Sequence, residues 1–190
     1  MHVLILNGSP RRQGNVASLL RAMAESLPSG AESQWINVYD LAMQPCRACM
    51  RCRSTGVCCL SEDDAHQVGQ WIAAADGLVV GTPTHWGNMS SQLKLLFDRN
   101  VPVFIRERTN GIPQPMQKGK PAAIVAACTT PRLLDLVAGQ SRGAIRTVGE
   151  ILHYAGYRIV GRVARCGTKS RSAIPDRLLA KARRIGGRFR

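Results

Sequence analysis

The sequence predicts an α/β fold, a three-layer sandwich in which a five-stranded parallel sheet lies between two layers of helices. Three observations carry the prediction. Short runs of Val, Ile, Leu and Ala alternate with segments whose apolar residues recur at helical spacing. The strand runs are mostly continuous Val, Ile, Leu and Ala, as strands buried on both faces are. Gly, Pro and Asn punctuate the junctions. At 190 residues the chain is expected to form a single domain, 1–190, without internal repeats.

The elements follow in order. His2 to Asn7 is the first strand, closed by Gly8-Ser9-Pro10. From Gly14, residues Val16, Leu19, Leu20, Met23 and Leu27 fall on one helical face, and Pro28-Ser29-Gly30 ends that helix. Ser33 to Val38 is the second strand, and Asp40 to Asp63 is a loop with short turns, rich in Cys and Arg. Asp64 to Ala75 is a helix with Val68 and Ile72 inward, and Gly77 to Gly81 is the third strand. A loop, Thr82 to Asn88, leads to a helix from Met89 to Arg99 that aligns Leu93, Leu96 and Phe97. Val101 to Gly119, with Pro102, Pro113 and Pro115, reads as a long loop excursion. Pro121 to Cys128 is the fourth strand, Arg142 to Ala155 a helix, Tyr157 to Arg165 the fifth strand and Asp176 to Arg188 the last helix. Five such strands suit the flavodoxin-like order 2-1-3-4-5.

Composition narrows the function classes. An apolar fraction of 45% excludes a disordered chain. No run approaches the length of a membrane span, so no membrane partner is expected. The N-terminal apolar stretch is too short for a secretion signal, which points to the cytoplasm. Seven cysteines are then ligands, redox groups or core fillers rather than disulfides. The net charge of +14 favours anionic partners without choosing among them. Eleven of the 26 Lys and Arg residues lie in the basic segment 158–190. That segment is read as a solvated helix face, with nucleic acid or a nucleotide phosphate as alternatives.

The first loop, Asn7-Gly8-Ser9-Pro10-Arg11-Arg12-Gln13-Gly14-Asn15, has the parts of a phosphate cradle. A helix N-terminus supplies free N–H groups and positive field. Gly8 and Gly14 let the backbone approach a ligand, Ser9 offers a hydroxyl, Arg11 a charged fork, and Asn15 an amide or an N-cap. The plainer alternative is a well-capped strand–helix turn. Neither a P-loop nor a dinucleotide fingerprint is present. Strands one and three flank the sheet's switch point, where FMN sits in this architecture. There the loop Thr82-Pro83-Thr84-His85-Trp86-Gly87-Asn88-Met89 offers a fixed turn, aromatic faces and an amide suited to a flat ring. The plainer alternative is a surface turn in which Trp86 packs. Thr129 and Thr130, after the fourth strand, are candidates for the ring's pyrimidine side.

Asn7-Gly8-Ser9-Pro10-Arg11 with Gly14-Asn15, followed by Pro83-Thr84-His85-Trp86-Gly87-Asn88-Met89-Ser90-Ser91-Gln92-Leu93-Lys94 and Phe97-Asp98-Arg99, resembles the NAD(P)H-dependent FMN reductase and iron–sulfur flavoprotein families. The resemblance covers most of residues 1–165. It implies bound FMN, hydride from NAD(P)H as co-substrate, and electrons passed to quinones, flavins, metal ions or proteins. It also implies a homodimer or homotetramer. By position, Ser9, Arg11, Gly14, Asn15 and Val16 would hold the phosphate, and Pro83, Thr84, His85, Trp86, Gly87 and Asn88 the ring. N–H groups of Thr84 and Asn88 would neighbour the ring's N5 and O4. Val16 departs from a common Thr and His85 from a common Tyr. The chemistry is centred on the flavin, and no protein nucleophile is expected.

Cys46-x2-Cys49-x2-Cys52-x5-Cys58, with Cys59 as an alternative fourth member, fits a [4Fe–4S] cluster in spacing, and it resembles the compact motif of iron–sulfur flavoproteins. Arg47, Arg51 and Arg53 would offset the cluster's charge. Free or redox-active thiols and zinc are the alternatives. Cys128 and Cys166, ending strands four and five, are read as packing residues. Asp98-Arg99 is expected to close a helix or an interface. Beside the reductase stand two further readings: an electron carrier with the cluster, and a basic protein that senses flavin or redox state. A nucleic-acid partner is not expected, because no recognition helix is evident.

Overall fold

The computed structural model describes residues 1–108, 111–170 and 173–190. Two expectations extend beyond these: residues 109–110 of the loop excursion and 171–172 of the basic segment lie outside the described residues. Strands β1 (His2–Asn7), β2 (Glu32–Asn37), β3 (Gly77–Pro83), β6 (Pro121–Ala127) and β7 (Arg158–Arg165) form one sheet. Its order is β2-β1-β3-β6-β7, with every neighbouring pair parallel. This is the expected flavodoxin-like order. The label numbers differ only because a small hairpin intervenes before β6.

Alternation along the strands divides the core in two. Leu4, Leu6, Leu78, Val80, Ala122 and Ile124 face helices α3 (Asp64–Ala74), α4 (Ser91–Arg99) and α7 (Gln140–Tyr154). Val3, Ile5, Val79, Ala123, Val125 and Val163 face α1 (Asn15–Ala24) and α8 (Asp176–Gly186). Continuous apolar runs in the central strands β1, β3 and β6 thus serve two layers at once, while the edge strands β2 and β7 keep polar residues. Helix α8 lies against α1 so closely that a Cβ on Gly186 would stand 2.2 Å from the Met23 carbonyl. Just beyond it, fully buried Phe189 packs its ring over Gly77 at the start of β3.

Three stretches differ from expectation. The excursion at 101–119 carries structure: α5 (Val101–Phe104) and an antiparallel pair, β4 (Ile105–Glu107) with β5 (Pro113–Pro115). Pro113 and Pro115 sit in this two-stranded ribbon, and Pro102 in the first turn of α5, both places where a missing N–H costs little. The Cys-rich loop holds one short helix, α2 (Arg51–Thr55). Helix α6 (Arg132–Ala138) gave no amphipathic signal, because its apolar residues face outward. Leu133, Leu134, Leu136 and Val137 are 62–89% exposed, and Asp135 alone turns inward. Among the described residues, no helix is long and apolar enough to cross a membrane.

Gly186→Ala should force α8 off α1. The expected cost is about 1–3 kcal/mol, read as a lower urea midpoint with an unchanged slope.

Candidate functional site

Two loops meet at the carboxyl ends of β1 and β3, and backbone contacts fix them to each other. The Gly8 N–H donates to the Gly81 carbonyl at 2.7 Å. The Ser90 hydroxyl donates to the Gly8 carbonyl at 2.7 Å, and the Ser90 N–H donates to Thr82 Oγ1 at 2.9 Å. A Cβ on Gly8 would lie 2.8 Å from the Gly81 oxygen. Gly8 therefore serves this close approach of two loops rather than the approach of a ligand, which is what the sequence had assigned to it.

Beyond Gly8 the chain turns into α1. The Ser9 N–H donates to Asn7 Oδ1 at 3.2 Å, and Ser9 Oγ accepts from the Arg11 N–H at 3.2 Å. Gly14 occupies the cap position and packs its α-carbon over the Arg11 side chain, where a Cβ would fall 2.9 Å from Arg11 Cβ. Asn15 is thus the first helical residue, not the cap, and no side chain caps this helix. The N–H groups of Asn15, Val16 and Ala17 have no carbonyl one turn earlier to receive them, so they converge unpaired on the space above the helix. Arg11 borders that space. Arg12 turns away and donates from Nη2 to Asp40 Oδ2 at 2.7 Å.

The cleft above has a volume of about 220 Å³. Its walls include Ser9, Arg11, Gly14, Asn15 and Val16 from the first loop, Pro83, Thr84 and His85 from the second, and Thr129. These are nine of the residues singled out from the sequence. Trp86, Gly87, Asn88 and Thr130 do not line it. Trp86 and Gly87 form a tight two-residue turn with φ of 52° and 73°, closed by reciprocal bonds between His85 and Asn88 at 2.9 Å. Trp86 is fully exposed. The N–H donors expected of Thr84 and Asn88 are already used, by the Ala127 carbonyl at 2.7 Å and the His85 carbonyl at 2.9 Å. The Thr84 hydroxyl differs, being buried in the cleft wall without a hydrogen-bond partner. The sequence reading missed Pro10, Ala127 and Thr168, which also line the cleft. Thr168 had a findable signal, since it follows the fifth strand at the sheet end where ligands bind.

The Cys-rich loop hangs from one buried ion pair. Arg99, at the end of α4, donates from Nη1 to Asp63 Oδ2 at 2.6 Å and from Nη2 to Asp63 Oδ1 at 3.0 Å. The same Nη1 donates to the Gln44 carbonyl at 2.7 Å. Asp63 also caps α3, accepting from the Ala65 N–H, and takes the Gln44 N–H at 3.1 Å. The His66 ring accepts from the Asp63 N–H at its Nδ1, which leaves Nε2 to face the Cys58 carbonyl at 3.3 Å. Arg99 therefore closes the Cys loop, while Asp98 only pairs with Lys94 on its own helix. Burial pushes the Asp63 carboxyl up, but the Arg99 guanidinium and the Gln44 N–H outweigh it and hold the group below the usual carboxylate range.

Within the loop, Cys49 and Cys59 place their sulfurs 3.3 Å apart. The Arg51 N–H, with help from Cys59, holds the Cys49 thiol below its ordinary pKa. Burial raises Cys52, and the neighbouring sulfurs of Cys58, Cys46 and Cys49 raise it further. Five thiols thus share one neighbourhood. Ala48 and Met50, on either side of Cys49, take φ of 51° and 63°. That region costs a non-glycine residue about 1–3 kcal/mol and clusters at functional sites.

Unpaired N–H groups at a helix N-terminus, beside a cleft at the switch point of a doubly wound parallel sheet, define a flavodoxin-like domain with a candidate ligand site. Residues 1–157 match the family described as NADPH-dependent FMN reductase, and the chain belongs to that family. Among curated proteins it is similar to an iron–sulfur flavoprotein of Methanocaldococcus jannaschii, 35% identical over 106 residues, 55% of this chain and 54% of that one. An iron–sulfur flavoprotein of Methanosarcina thermophila is 34% identical over 102 residues, 53% of each chain. The chain spans about half the length of the curated relatives it matches. Among solved structures, the NAD(P)H:quinone oxidoreductase of Methanothermobacter marburgensis shares the fold, with a TM-score of 0.77 at 19% identity over 100% of this chain and 99% of that one. An azoreductase of Bacillus anthracis does so with a TM-score of 0.74 at 17% identity over the whole of both chains.

Asp63→Asn should leave the fully buried Arg99 charge half-paired and cost about 3–5 kcal/mol in chemical denaturation. Asp63 has a depressed pKa, so its contribution is present above the unfolded carboxylate pKa of about 3.9 and is lost as pH falls through the folded value. The acid-side loss of stability should therefore be shallower in the variant than in the parent.

Proposed function

We propose that the chain is an FMN-dependent oxidoreductase that takes hydride from NAD(P)H and passes electrons to a quinone, flavin, metal or protein acceptor. The observation that carries this reading is the Thr84 hydroxyl, buried in the cleft wall with no partner of its own. A buried hydroxyl left unpaired costs about 1–3 kcal/mol, and a polar ring edge in the cleft removes that cost. The rest of the cleft fits the same ligand. The N–H groups of Asn15, Val16 and Ala17, the Ser9 hydroxyl and the Arg11 fork suit a phosphate. Val16 contributes only its N–H, since its side chain is buried in the core. Pro83, Thr84, His85 and Thr129 suit the ring, with the Thr84 hydroxyl in place of the backbone donors expected of Thr84 and Asn88. FMN, when bound, supplies two-electron hydride acceptance and one- or two-electron return. The chain's part is to hold the phosphate, orient the ring and present donors at its polar edge.

A second reading is favoured by the shared neighbourhood of Cys46, Cys49, Cys52 and Cys58, and by the names of the curated relatives. In it the four thiolates hold a [4Fe–4S] cluster that relays single electrons, with Arg47, Arg51 and Arg53 offsetting its charge. We also infer a homo-oligomer, in which a second copy covers the outward apolar face of α6.

Absorbance and iron analysis of anaerobically purified protein test both readings. A flavin spectrum, or uptake of added FMN, with NAD(P)H oxidation supports the first; no flavin and no uptake refutes it. Four irons per chain support the cluster, and flavin without iron refutes it. Arg11→Ala should weaken FMN binding about 10- to 100-fold, the usual worth of a charged hydrogen bond. Arg12→Ala, which breaks only an exposed pair with Asp40, should change it by less than about threefold. Leu133→Glu with Val137→Glu should reduce the assembly to monomers in sedimentation, and unchanged mass would refute the α6 interface.

A further inference from the structure

The ends of β6 and β7 carry a second group of thiols, separate from the Cys-rich loop. The β6–β7 register pairs Ala127 with Arg165, so Cys128 and Cys166 stand one step beyond, side by side. The ladder continues there, with the Cys128 N–H donating to the Arg165 carbonyl at 2.9 Å. Asp135, the one inward residue of α6, reaches between the two sulfurs. Cys128 Sγ lies 3.8 Å from its Oδ1, and Cys166 Sγ lies 3.4 Å from its Oδ2. Ser141, at the start of α7, donates from its N–H to Oδ1 at 2.9 Å and from its hydroxyl to Oδ2 at 2.5 Å. No Lys or Arg pairs with this carboxylate among the described residues. Simple packing does not call for a buried carboxylate aimed at two thiols.

We propose that Cys128, Asp135 and Cys166 form a binding site for one soft divalent cation, Zn²⁺ by the chemistry of its donors. Each residue offers one ligand atom, and these atoms all lie within 4.8 Å of one another. Zn–S and Zn–O bonds of about 2.3 and 2.1 Å place tetrahedral S and O ligands about 3.6 Å apart. The Cys166 Sγ to Oδ2 distance, 3.4 Å, is close to that value, while Cys128 Sγ stands 3.8 Å from the other oxygen, Oδ1. Ser141 fixes the carboxylate from behind, the role that outer partners play around metal ligands. Its hydroxyl also lies 3.7 Å from Cys166 Sγ, and a water would complete the ion's fourth position.

The charge also balances. Binding expels two thiol protons, leaving two thiolates and a carboxylate around a dication, a net charge of −1. Asp135, Ser141 and Cys166 open on a groove walled by Arg132, Lys169, Arg177, Lys181 and Arg184. The metal-free site, with Asp135 ionised, carries the same net charge, so the basic wall offsets the site's charge in either state. The site ties together β6, β7, α6 and α7. Of the two cysteines expected to pack, Cys128 is buried and Cys166 is half-exposed to the groove.

The test is metal stoichiometry in the full chain, reduced and stripped by chelator, with Zn²⁺ and Co²⁺ as probes. The parent should bind one ion more than Cys166→Ser and one more than Asp135→Asn, and that ion should give the near-ultraviolet absorption of cobalt–thiolate bonds. The thiols at 46–59 also attract soft metals, so the comparison is repeated with those five cysteines changed to serine. That variant should keep one ion and lose it on adding Asp135→Asn. Equal stoichiometry with and without Cys166 and Asp135 overturns the proposal. So does recovery of Cys128 and Cys166 as a disulfide that, once reduced, takes up no metal. The readout needs no flavin, so it stands apart from the proposed activity.

Discussion

The contact on which the site depends is the approach of Gly8 to the Gly81 carbonyl, reinforced by Ser90. A loop on its own is a poor place to hold a ligand, because its backbone is free to move. Here two loops from neighbouring strands are bonded to each other at their bases, directly above the sheet. Each then inherits the rigidity of β1 and β3. A residue larger than glycine at position 8 would separate them. The cleft is a consequence of that contact: the first loop can spend its remaining N–H groups on an anion, and the second can turn outward at Trp86 and Gly87. This is preorganisation in its simplest form, with donors positioned before any ligand arrives.

The second organising contact is electrostatic. Arg99 is fully enclosed, and enclosing a guanidinium is costly unless it is paired and hydrogen-bonded. Asp63 and the Gln44 carbonyl satisfy both Nη atoms, and the same contacts clamp both ends of the Cys-rich loop to the body of the fold. Leu41 and Met43 anchor the start of the loop in the apolar core, but its Cys-bearing part buries no residue fully. Its position therefore comes from charge and hydrogen bonds, and this permits several thiols to remain near the surface in a protein whose other layers are apolar.

Much of the fold was legible because buried parallel strands leave a plain mark. Runs such as Val3-Leu4-Ile5-Leu6 and Ala122-Ala123-Ile124-Val125 have few other uses. The cradle was legible for the same kind of reason, since Gly14, Arg11 and Ser9 follow a strand and open a helix. What escaped has physical causes. Helix α6 reverses the usual pattern, with leucines out and an aspartate in, so no search for an inward apolar stripe would find it. The β4–β5 ribbon is held by cross-strand pairing that local sequence does not record. Donor availability at Thr84 and Asn88 depended on which carbonyls came within reach after folding. The pairing of Cys128 with Cys166 needed the β6–β7 register, and Asp135 joined them only because α6 exists.

The burial of Phe189 over Gly77 has a kinetic consequence. The two residues lie far apart along the chain, and α8 must dock on α1 from the opposite end of the sequence. Closing so long a loop costs entropy before any contact repays it, so this docking belongs late in folding. Interactions formed after the folding barrier mainly slow unfolding. The last helix thus acts as a latch on the lifetime of the native state, with little influence on how fast the sheet first assembles.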